Sequence, residues 1–174
     1  MVEKKLFGYP TFDENGEEIL STYENEYRDM LMDVRVYRMA AGTTREFCRE
    51  GEEIAILLLS GEVTFKWPDG EKTVSRKDVF TEGPWALHVA GGVKAVVTAV
   101  KDTEILVQCT QNEKTFASRL YAPEDAPWKY SGVKGKLGDT ANRQVNTIFD
   151  HDICPESNMV LGEVLNFPGK WSSY

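Results

Sequence analysis

A chain of 174 residues with 41% hydrophobic and 11% aromatic content can bury one ordinary core and is too apolar to be disordered. Its net charge of −8, with no basic cluster longer than two residues, excludes a nucleic-acid binder and argues against an anionic membrane surface. No apolar run approaches the roughly 18 residues of a membrane span, so a cytoplasmic protein is expected.

Residues 1–20 mix turn residues with few apolar ones and read as an extended arm. Residues 24–32 (ENEYRDMLM) form the best helix candidate, with Ser21 or Thr22 as its cap and Tyr27, Met30 and Leu31 on one side. Strand patterns then follow at 34–39 and 43–48. The segment 51–70, GEEIAILLLSGEVTFKWPDG, supplies two more. Ile54 to Leu59 is an unbroken apolar run suited to a strand buried on both faces, and Ser60-Gly61-Glu62 breaks it. Val63, Phe65 and Trp67 then alternate with polar residues as in a half-buried strand. Pro68-Asp69-Gly70 is a turn in which glycine is expected to take a positive φ. Further short strands are expected at 72–75, 79–80, 85–89, 93–100 and 104–109. Short strands at this spacing, with turn residues between them, specify an all-β sandwich or barrel.

After Thr110 the composition changes. Residues 111–127 are polar with scattered apolar anchors, and 131–143 carry three glycines and read as a loop. A second β pattern occupies 145–149 and 159–167. Two or three strands cannot form an independent core. The tail must therefore add to the first barrel, pair with another subunit, or open a further domain. The expected organisation is a barrel with its arm over 1–110, a linker over 111–142 and, over 143–174, the first strands of an incomplete second domain of the same kind.

The strand grammar up to Cys109 resembles a cupin jelly roll. GEEIAILLLSGEVTF, KDVFTEGPWALHVAGG, RQVNTIFD and LGEVLNFPGKWSSY together resemble the 5-deoxy-glucuronate isomerase family of inositol catabolism, two-cupin relatives of 5-keto-4-deoxyuronate isomerase. The segment from Glu163 through Pro168-Gly169 to Trp171-Ser172-Ser173-Tyr174 discriminates best. The resemblance implies a cytoplasmic aldose–ketose isomerase whose divalent metal is held by histidines and a glutamate of a second cupin. None of those ligands has a counterpart here, so the chain is expected to be the amino-terminal portion of such a protein, inactive alone. The alternative is a freestanding metal-free cupin module that binds a small sugar acid or a partner.

Within the first barrel, the general cupin ligand pattern falls on Cys48, Glu50 and Glu53, with His88 nearby in sequence. Only Glu53 has a suitable ligand type in place, so no metal is expected there. Cys48, Cys109 and Cys154 are odd in number and unpaired by spacing, which supports neither a disulfide framework nor a thiolate zinc site. Cys48 reads as a small semi-buried side chain rather than a nucleophile. His88 reads as a structural imidazole bonded to a neighbour, and His151 as a solvated turn residue. Glu50, Glu52, Glu53 and Glu62 could form a metal-free acid–base pair, but such runs usually mark solvated strand edges. Trp67, Trp85, Trp128, Trp171 and Tyr174 could stack a sugar, but aromatics at strand period usually fill cores. Arg45, Arg76, Arg119 and Arg143 could each read a carboxylate, and nothing in the sequence selects one. No catalytic or cofactor-binding residue is assigned. The apolar strand at 159–167 leads us to expect a homo-oligomer packed through residues from about 143 onward.

Overall fold

The computed structural model describes residues 9–132 and 137–170. The last four residues of the discriminating segment, 171–174, part of the arm and part of the loop at 131–143 lie outside them.

Strand β4 (Glu52–Trp67) organises the molecule, because it belongs to two sheets. Its first half lies between β8 (Thr103–Gln111) and β6 (Ala86–Val89). Its second half lies between β7 (Ala95–Ala99) and β5 (Gly70–Arg76). The first sheet continues outward through β2 (Asp33–Met39) to β1 (Glu17–Ser21), and on the other side to β9 (Arg119–Tyr121). In the second sheet β3 (Thr44–Phe47) pairs with β7. All these pairings are antiparallel, and the expected cupin-like jelly roll is the fold.

Ser60-Gly61-Glu62 does not separate two strands; it bends one. The ladder with β8 slips between Leu58 and Ser60, and Gly61 sits at φ +103°. A Cβ there would lie 2.3 Å from Thr103 Oγ1 and 2.5 Å from the Asp102 carbonyl, so only glycine lets β4 pass this close while changing sheets. The bulge also flips side-chain parity. Ile54, Ile56 and Leu58 point into the sandwich before it, and Val63 and Phe65 after it. They close the core with Leu87, Val89, Val97, Ile105 and Val107. Gly70 does not adopt positive φ. It is small because the Trp67 indole folds over the turn, where a Cβ would meet Cζ2 at 2.6 Å.

The run 54–59 is buried on both faces, as its composition requires, because a second layer covers the outside of the first sheet. That layer is a three-stranded antiparallel sheet of β10 (Lys129–Ser131), β11 (Arg143–Phe149) and β12 (Leu161–Asn166). Ala55, Leu57 and Ala86 pack there against Ile148, Phe149, Met159 and Leu161. Each fully buried aliphatic side chain contributes about 1.5–3 kcal/mol to holding the layers together.

Three further expectations fail. The helix at 24–32 is a single 3-10 turn, Arg28–Met30. Thr22 Oγ1 accepts from the amides of Glu24 and Asn25, and Asn25 Oδ1 from that of Tyr27, so side chains capture the donors a helix would use. Leu31 then turns away at φ 56°. Residues 79–80 form a turn held by Asp78 Oδ1 rather than a strand. Residues 17–21, read as arm, form β1, paired with β2. No helix among the described residues is long and apolar enough to cross a membrane.

Candidate functional site

The ligand-pattern residues do not converge. Cys48 and Glu50 are exposed beyond β3, and Cys48 Sγ faces the Gly92 carbonyl at 3.5 Å. Cys48 is therefore more accessible than its expected semi-buried position. Glu53 and His88 do meet, but on the outer face of the first sheet, under the added layer, because they alternate with the inward-facing Ile54 and Leu87. Glu53 is fully buried, which corrects its assignment to a solvated edge. Its carboxylate contacts His88 Nε2 at 2.9 Å and accepts from Ser157 Oγ at 2.9 Å and from the Asn158 amide at 2.6 Å. Burial pushes its pKa up, but the hydrogen bonds from His88, Asn158 and Ser157 outweigh that and hold it below the ordinary carboxylate range. The His88 ring stacks on Phe149 at 4.0 Å between centroids, the structural role expected of it. His151 lies exposed in its turn.

A second buried pair joins the same layers. Arg76, the end of β5, is 1% exposed, and its guanidinium donates to both carboxylate oxygens of Glu163 on β12 at 2.7 and 2.8 Å. The carbonyls of Leu58 and Glu82 accept from it at 2.9 Å each. The Glu53–His88 and Arg76–Glu163 pairs therefore both meet the C-terminal layer.

The open end of the sandwich carries a different network, built from inward-facing side chains where the apolar core runs out. On β2 the alternation that points Tyr37 and Met39 inward points Asp33 and Arg35 inward too. Arg35 grips Asp33 bidentately at 2.7 and 2.8 Å and reaches Glu17 at 2.6 Å. Arg49 donates to Asp33 and Glu52 at 3.1 Å, and Tyr23 Oη lies 3.3 Å from Glu52. Burial raises the Asp33 carboxyl, yet its bonds to Arg35 and the charge of Arg49 hold it low. Burial, then Glu17, pushes Tyr37 up to about 12; burial, then Asp33 and Glu52, pushes Cys109 up to about 12 against the nearby Arg49. The Asp33 carboxyl is thus shifted down and the Tyr37 phenol and Cys109 thiol up, each away from neutral pH. Beside this network a cleft of about 410 Å³ is lined by Tyr37, Arg45, Glu46, Phe47, Cys48 and Arg49. The sequence reading missed Asp33 and Arg35; their signal was a charged pair at inward parity in DVRVYRM.

The metal implied by the resemblance finds no fitting ligand set among the described residues. No group of three or more His, Cys, Asp or Glu side chains converges there, and the inward Asp33 and Glu52 are already held by guanidinium groups. Trp67 and Trp85 pack against the apolar core, as aromatics at strand period usually do.

Comparison with solved structures places the fold. An IolB-like protein from Salmonella typhimurium LT2 superposes with TM-score 0.69 at 17% identity, covering 80% of this chain and 52% of that one. Protein Ylba from E. coli gives TM-score 0.52 at 16% identity, covering 80% of this chain and 60% of that one. The chain thus spans about half the length of the Salmonella protein, and no curated protein matches it. The family model described as KduI/IolB matches residues 8–174. With that match over nearly its whole length, the chain belongs to the KduI/IolB family, a sugar-isomerase-like group with the cupin fold.

Proposed function

We propose that this chain acts as the supporting barrel of an aldose–ketose isomerase for 5-deoxy-glucuronate in inositol catabolism, with the metal-holding cupin supplied by further sequence. In this reading the chain alone does not turn over the sugar acid. The observation that carries it is the use of the buried charges. Arg76–Glu163 joins the first barrel to the C-terminal sheet directly, and Glu53–His88 does so through Ser157, Asn158 and the Phe149 ring. At the open end, guanidinium contacts hold the Asp33 carboxyl low while burial pushes Tyr37 and Cys109 up, which fits a supporting rather than a proton-relaying role. A cytoplasmic setting fits three free thiols, which a reducing compartment preserves.

The test is a coupled assay of the purified chain on the uronate with a series of divalent metals. No turnover is expected, and metal-dependent turnover by these residues alone overturns the reading.

The same reading includes self-association through β12. Among the described strands it pairs only with β11, and its outward row carries Val164, 50% exposed, with no charge to deter a second strand. A second copy pairing there is the expected oligomer.

A further inference from the structure

Of the four arginines the sequence offers as carboxylate readers, two are paired with carboxylates by the fold and a third donates to a nearby carbonyl. Arg76 is buried on Glu163, Arg119 pairs with Asp125 at 3.0 Å while stacking on Tyr121, and Arg143 donates to the Ala141 carbonyl beside the start of its own strand. Arg45 differs. It leaves β3 on the inward side, lays its guanidinium 4.5 Å over the Tyr37 ring and donates one hydrogen bond to the Asn15 carbonyl. Among the described residues no carboxylate lies within ion-pair distance of it.

Stacking holds a guanidinium by its face and leaves its hydrogen-bonding edge available. Arg45 lines the cleft of about 410 Å³, a volume suited to a small organic molecule, as well as a neighbouring one beside Asn15, the acceptor of its hydrogen bond. The adjoining wall is aromatic, with Tyr37 and Phe47 at 5.6 Å between centroids. Glu46 on the rim is engaged by Lys94, which reduces its repulsion of an incoming anion. Deeper in, the carboxylates of Asp33 and Glu52 surround Arg49.

We infer that this cleft binds a small monocarboxylate. Its carboxylate sits on the Arg45 fork, and its ring or short carbon skeleton lies against Phe47 and Tyr37. One unopposed guanidinium matches one negative charge. A second carboxylate on the ligand would lie near Asp33 and Glu52, so the site selects monoanions over dianions and over neutral analogues. The inference concerns a binding site in the first barrel and stands independently of the supporting role above.

The test uses the full chain with glucuronate and benzoate as ring-bearing monocarboxylates, their dicarboxylate analogues, and methyl glucoside and benzamide as neutral controls. Calorimetry measures affinity, and NMR follows the Arg Nε–H resonances. Saturable binding of at least one monocarboxylate is expected, with the Arg45 resonance shifting. Arg45→Gln should weaken binding about tenfold or more, with Arg45→Lys intermediate. Phe47→Ala should weaken it independently, which keeps the test open if an arginine variant folds poorly. Lys129→Gln on β10, away from the cleft, should change nothing. Absence of saturable binding by both monocarboxylates, equal binding of the neutral controls, or full affinity in Arg45→Gln would overturn the inference.

Discussion

Replacing Glu163 by alanine removes the only carboxylate, among the described residues, that pairs with the fully buried Arg76 guanidinium. The Arg76 side chain is 0% exposed, against 13% for Glu163. The variant leaves the cation with the carbonyls of Leu58 and Glu82 as its remaining acceptors. Breaking a buried pair from one side costs about 3–5 kcal/mol, a large part of the roughly 5–15 kcal/mol that stabilises a domain. Glu163→Gln keeps an acceptor but loses the charge, and should cost about 1–3 kcal/mol. The double variant Arg76→Met/Glu163→Leu should recover part of the loss, but not all, because the two carbonyls lose their donors. Equilibrium unfolding in urea reads these values, and hydrogen exchange shows where protection is lost. The amides of β11 and β12 should lose protection first, with β4 and β8 retaining theirs. A cost under about 1 kcal/mol for Glu163→Ala, the range of a solvated surface pair, would refute the argument.

Other outcomes follow from the same geometry. Glu53 has a depressed pKa in the folded chain, so the unfolded chain binds its proton first as pH falls. Its contribution is present above the ordinary carboxylate range and is lost on acidification through the lower folded value; Glu53→Gln should flatten this part of a stability–pH profile. Gly61→Ala combines φ +103° with a Cβ only 2.3 Å from Thr103 Oγ1 and should cost about 1–3 kcal/mol in thermal unfolding, more than Gly70→Ala, whose obstacle is a movable indole. The proposed self-association through β12 predicts a mass above the monomer's for the chain and a monomer's mass for Val164→Lys in size-exclusion chromatography with light scattering; a monomeric parent chain or an unchanged mass in the variant would remove β12 as the interface.

Local pattern made most of the first barrel legible. The alternation at Val63–Phe65–Trp67 and the apolar run at 54–59 each marked a strand, because side-chain period and burial follow directly from the pleat. The Ser60–Gly61 break was legible as an interruption, but not as a bend within one strand. A glycine marks a turn and a bulge alike until the neighbouring strand is placed. Charged side chains were harder to place. Glu53 looked like an edge residue among Glu50 and Glu52, and only the arrival of Ser157 and Asn158, more than a hundred positions later, supplies the donors that let it be buried.

The amino-acid order alone determined that this is an all-β cupin relative, through strand period, turn residues and the family motifs. Tertiary structure decided which charges are solvated and which are spent inside: that Arg76 is committed to Glu163 while Arg45 stays open at the cleft. The reason is physical. Strand periodicity is set by neighbours along the chain, whereas the burial and pairing of an ionised group depend on partners brought together only when distant strands close into layers.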